Sequence, residues 1–189
     1  MKKHFTTLYL VGISVILSFF IISCKNETED KNVINETVIE EKPITFDIIV
    51  DLKIKKDDDL IIYYKDGTNE WIVEDKSVWN TVKGSNDFQK VVFKLPEGVL
   101  PNDFRFDIGR NEFKGQEPIE IRSVTLSYID KNFVVTEEMF NNFFKPNQFI
   151  KYNEETKEFS FNEVDGNYDP FFEVTPQMYS QLTNIVLNN

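Results

Sequence analysis

The sequence predicts a mostly β protein, an antiparallel β-sandwich carrying a small α+β elaboration at its C-terminal end. Three observations predict it. Apolar and polar residues alternate in several short runs, the period of a half-buried strand. Turn residues separate these runs at Asp57–Asp59, Asp66-Gly67, Gly84-Ser85-Asn86-Asp87 and Gly109. No long helical pattern lies between them before residue 130, which disfavours parallel βαβ units.

Taken in order, the first element is an export signal, residues 1–23. Lys2 and Lys3 form a positive start, and the fifteen residues 8–22 follow without a charge. As a helix that run spans about 22 Å, short of the ~30 Å hydrocarbon core, which favours a cleaved signal over a permanent span. Ile21-Ile22-Ser23-Cys24 closes it and reads as a bacterial lipobox, with Cys24 the residue that is lipidated and becomes the new N-terminus. Two or three palmitate-type acyl chains, each CH₂ contributing about 0.8 kcal/mol, would hold the mature chain at a membrane stably. Residues 24–43 then form the lipidated end and a flexible tether. The stretch 25–42 has six acids, three lysines and no aromatic residue, too little apolar surface to fold.

Charge and composition exclude several functions. Removing Lys2 and Lys3 from the 21 basic residues leaves 19 against 32 acidic ones, a net charge of −13. Such a surface repels phosphate backbones, so no nucleic-acid partner is expected. The only histidine, His4, leaves with the signal, and the only cysteine is Cys24. The mature chain therefore lacks the imidazole and thiolate of nucleophilic triads and of zinc, copper or iron sites. Carboxylate chemistry and oxygen-ligated hard cations remain.

Residues 44–131 are expected to form the sandwich, its core supplied by a share of the eighteen phenylalanines. Residues 46–54 alternate cleanly through Phe46, Ile48, Val50, Leu52 and Ile54. A turn at Asp57–Asp59 leads to a second strand at 60–64, and a short third strand is expected at 71–73. Residues 88–95 and 104–108 alternate again, stopped by Pro96 and Gly109. The run 119–128 slips phase once, as a β-bulge near Arg122-Ser123 would produce. Residues 132–189 are expected to pack on the sandwich. They comprise a short helix N-capped by Thr136, a hairpin across 153–156, a Pro-fixed turn at 168–172, and a helix opened by Thr175-Pro176.

Two resemblances add to this. Cys24-Lys25-Asn26-Glu27-Thr28-Glu29-Asp30 is similar to the Lys-then-acidic signals of Bacteroidetes-type outer-membrane lipoproteins. This implies outer-membrane anchoring and favours the cell surface over the periplasmic side. Phe93-Lys94-Leu95-Pro96, Phe104-Arg105-Phe106-Asp107 and Ile119-Glu120-Ile121 with Val124 and Leu126 resemble jelly-roll, galactose-binding-like domains. More narrowly, they resemble the β-sandwich modules found beside bacterial surface-polysaccharide glycosyltransferases. That likeness covers roughly residues 46–130 and implies a jelly-roll-like fold and a connection with glycans. It carries over no functional residue.

Candidate sites follow from residue types. Tyr63, Tyr64, Trp71 and Trp79 fall within seventeen residues and could stack on sugars; alternatively the tryptophans fill the core. Adjacent Tyr63 and Tyr64 must point to opposite sheet faces. Arg105 shares a strand face with Asp107, as an ion pair or as a clamp for a carboxylate-bearing sugar, and Arg105, Arg110 and Arg122 are the only arginines. Asp57, Asp58 and Asp59 are either a solvated turn or ligands of a structural calcium ion. No catalytic motif stands out. The expected function is a non-catalytic glycan-binding or glycan-assembly accessory. A lipoprotein that holds a protein partner at the cell surface is the alternative, and a carboxylate-based glycoside hydrolase the third reading.

Overall fold

The computed structural model describes residues 43–67, 75–109 and 115–187. The signal, Cys24 and the tether up to residue 42 lie outside these, as do Arg110, Trp71 and the strand expected at 71–73. The described chain is a mostly β antiparallel sandwich with a C-terminal helix.

One sheet has four strands in the order β4-β1-β6-β7: Gln89–Lys94, Phe46–Lys53, Glu120–Tyr128 and Lys131–Thr136. The other has five in the order β3-β2-β5-β11-β8: Ser77–Val82, Asp58–Lys65, Asp103–Ile108, Phe171–Val174 and Phe144–Pro146. A separate hairpin pairs β9 (Ile150–Asn153) with β10 (Glu158–Phe161). The inward positions of both sheets merge into one core. Phe46, Ile48, Val50 and Leu52 come from β1, Leu60, Ile62 and Tyr64 from β2, and Phe104, Phe106 and Ile108 from β5.

The phase slip in β6 is a bulge. Asp51 faces Ser123 and Leu52 faces Ile121, so Arg122 is the extra residue. Its Nε and Nη2 both donate to Asp51 Oδ2, at 3.0 and 2.7 Å.

Several elements differ from the sequence expectation. β2 begins at Asp58, so Asp58 and Asp59 are strand residues and not a solvated turn; their burial is possible because each is hydrogen-bonded. β3, β7 and β8 are strands that the sequence pattern does not mark, and Phe144 belongs to β8 and not to the helix before it. The turn expected at 168–172 runs into β11, because Phe171–Glu173 find partners on both sides, in β5 and β8. Residues 132–189 thus contribute strands to both sheets. Thr136 makes no side-chain cap; the chain enters a 3-10 turn, Glu137–Met139, and then α1, Phe140–Phe143. The last helix, α2, spans Pro176–Leu187 as proline at its first position predicts, and buries Met178, Leu182 and Ile185.

Gly84 is required where the chain crosses from β3 toward β4. A Cβ there would lie 2.4 Å from the Lys55 carbonyl oxygen and 2.7 Å from Lys56 Cα. Backbone cannot yield as a flexible side chain can, so Gly84→Ala should cost about 1–3 kcal/mol. Thermal unfolding measures it, and an unchanged melting temperature would disprove the close approach.

Candidate functional site

The outer face of the five-stranded sheet gathers most of the residues of interest. Strand periodicity decides this. On β2, Leu60, Ile62 and Tyr64 point into the core between the sheets, which sends Ile61 and Tyr63 to the opposite face, where Tyr63 is half-buried and Ile61 is buried by its neighbours. On β5, Arg105 and Asp107 alternate with buried Phe104, Phe106 and Ile108; on β11, Phe171 and Glu173 alternate with Phe172 and Val174. The register aligns them in two rows. Ser77, Tyr63, Arg105, Glu173 and Lys145 form one, and Trp79, Ile61, Asp107 and Phe171 the other.

Trp79 is 43% exposed, on an edge strand, and its Nε1 donates to Ser77 Oγ at 2.9 Å. The core-filling alternative for this tryptophan therefore fails. The signal that could have placed it is Ser77-Val78-Trp79-Asn80-Thr81-Val82, whose alternation sends Val78 and Val82 inward. Tyr64 is buried in the core and stands apart from the face.

Arg105 is held rigidly. Its Nε donates to Asp107 Oδ1 at 2.7 Å and its Nη2 to Oδ2 at 2.5 Å. The guanidinium carbon also lies 4.1 Å from the Phe171 ring centroid and 5.2 Å from that of Tyr63. Such bidentate, aromatic-flanked pairing suits the planar guanidinium and neutralises it. Burial pushes the Asp107 carboxyl up to about 6 against the opposing pull of Arg105, with the nearby charge of Asp169 adding to the rise. Arg122 sits on the other sheet, paired with Asp51 and 4.4 Å from the Phe88 ring centroid. The arginine cluster of the sequence is thus divided in space, and these two members are already occupied by carboxylates.

Beside Phe171 the face deepens into a concavity of ≈ 520 Å³, lined among others by Lys145, Asn147, Asp169 and Glu173. Sequence reasoning did not single out Lys145 or Glu173, since they join the face only through the pairing of β11 with β5 and β8.

No family model, curated protein or solved structure matches this chain.

The three consecutive aspartates diverge. Asp57 is exposed and bonds to Lys83 Nζ at 2.6 Å, while Asp59 accepts from Thr81 Oγ1 at 2.6 Å. Asp58 is fully buried and accepts from Gln116 Nε2 at 2.7 Å and from the Asp59 amide at 2.8 Å. Among the described residues no group of three or more His, Cys, Asp or Glu side chains converges as a metal site would require. No described helix is long and apolar enough to cross a membrane.

Near Asp58 the Tyr168 hydroxyl is buried with no hydrogen-bond partner among the described residues, and burial together with the Asp58 charge pushes it up to about 12. An unpaired buried hydroxyl costs free energy, so Tyr168→Phe should leave stability unchanged or raise it by about 1 kcal/mol. A clear loss in urea denaturation would mean that the hydroxyl is satisfied in solution.

Proposed function

We propose that the chain is a lipid-anchored, non-catalytic glycan-binding or glycan-assembly module of the bacterial outer membrane, displayed at the cell surface. The anchor rests on Lys2, Lys3, the apolar run and Cys24. The binding reading rests on one observation above the others. Trp79, half exposed, shares an outer sheet face with Tyr63, Phe171 and a pre-set Arg105–Asp107 pair. Aromatic faces supply stacking area for a sugar ring, and the fixed polar groups around them supply orientation. The non-catalytic reading draws support from Asp107. Its pKa is raised, yet both its oxygens are bound to Arg105, which hinders proton delivery.

Tryptophan fluorescence of residues 43–189, titrated with bacterial and host polysaccharides, tests the reading. Saturable binding should fall at least about tenfold on Trp79→Ala, on the scale of a lost aromatic anchor. Absence of any response across the panel would reject it.

The second reading, a lipoprotein that binds a protein partner, is favoured by the opposite sheet. There Val92, Ile49, Thr125 and Val134 align across four strands, with Val92 and Val134 exposed.

A further inference from the structure

We infer that the glycan taken by this face is an uncharged, hydroxyl-rich polysaccharide, contacted along its chain and not through an acidic substituent. This rests on the glycan reading above and narrows it.

Charge carries the first part. Among the described residues the face has three cations, Lys65, Arg105 and Lys145. Arg105 is closed onto Asp107, and Lys65 lies 3.5 Å from Asp103. Lys145 borders the concavity opposite Glu173 in the strand register, with Asp169 lining the same space. Asp59, also on this face, bonds to Thr81. Among the described residues of this face carboxylates therefore outnumber cations, on a chain whose net charge is −11. A uronate or sialate approaching such a surface meets like charge, which suppresses a partner as effectively as a steric clash. Ionised carboxylates offer only acceptors, and what they select is a donor. Asp169 and Glu173 flank Phe171 in sequence and line one space with it, so a ring stacked on Phe171 would present hydroxyls to acceptors around it.

Geometry carries the second part. From β3 to β8 the face crosses five adjacent strands, four spacings of about 4.8 Å, or roughly 19 Å. Both β3 and β8 are edge strands. Trp79 stands toward one edge and the concavity beside Phe171 toward the other, with buried Ile61 and Asp107 between them, so the two ends suit separate rings of one chain.

The test uses the lipidated mature chain in detergent micelles, with calorimetric titrations of neutral glucans, mannans and galactans, of polygalacturonate, and of chitosan. The expected result is saturable binding of at least one neutral polymer, with less than about threefold change between about 50 and about 500 mM salt, and no response to polygalacturonate. The double variant Asp169→Asn, Glu173→Gln should weaken the neutral polymer about tenfold while near-UV circular dichroism stays unchanged. Tighter binding of polygalacturonate than of any neutral polymer overturns the inference and leaves the glycan reading standing. So does binding of chitosan alone with an affinity that collapses in salt. No binding by any polymer overturns both. Neutral binding that ignores the double variant overturns the role given to the two carboxylates.

Discussion

Phe172→Ala is expected to remove about 3–5 kcal/mol of folding stability, the scale of a large-to-small change at a packed aromatic position. Phe172 has no exposed surface. Its ring centroid lies 6.1 Å from Phe106 in β5, 5.2 Å from Phe140 in α1 and 5.0 Å from Phe159 in β10. It is therefore the point where the five-stranded sheet, the short helix and the hairpin meet. The void left by alanine cannot close easily, because β11 is paired on both sides. Urea denaturation should show a lower midpoint with an unchanged slope, and Phe172→Leu should lose much less. A loss below about 1 kcal/mol in the alanine variant would mean that this junction is not tightly packed.

Arg105→Ala is expected to cost a similar amount, about 3–5 kcal/mol at neutral pH, since it strands the Asp107 carboxylate. Asp107 is 5% exposed, and Arg105 engages both its oxygens. The pH dependence distinguishes this cause from simple loss of packing. The Asp107 carboxyl is raised from 3.8 to about 6 in the fold, so the folded state takes up its proton more readily than the unfolded chain. Its contribution to stability is fully present below about 3.8 and is lost as pH rises through about 6. Removing the guanidinium drives the carboxyl higher still. The penalty of Arg105→Ala should therefore be large at pH about 7.5 and shrink by pH about 4.5, and Asp107→Asn should flatten the difference between the two. Equal penalties at both pH values would show that the stranded charge is not the cause.

Much of the sandwich was legible because half-buried strands write their period into the chain. β1, β4 and β5 read directly, and the slipped phase at Arg122 marked a real bulge. Asp58 and Asp59 misled because their burial depends on Gln116 and Thr81, partners that no local pattern reveals. β7 is a similar case, short and edged by charge. β11 is a strand only because β5 and β8 lie beside it, and neither is near in sequence. The same split governs the site. Tyr63, Trp79 and Arg105 were visible as residue types and do share a face. Phe171, Glu173 and Lys145 belong with them only after that long-range pairing forms, and Tyr64 leaves them by the parity of its strand.

The position of β11 also fixes an order of events during folding. It is the last described strand in chain order, yet it occupies the interior of its sheet, with β8 at the edge beyond it. Until Phe171–Val174 has docked, β5 has an unpaired margin and β8 has no place to dock. The N-terminal strands therefore cannot complete the sandwich by themselves, and closure waits on contacts between segments far apart in sequence, the slowest kind to form. Truncation at about residue 170 should accordingly give an aggregation-prone chain with an open strand edge, not a smaller stable sandwich.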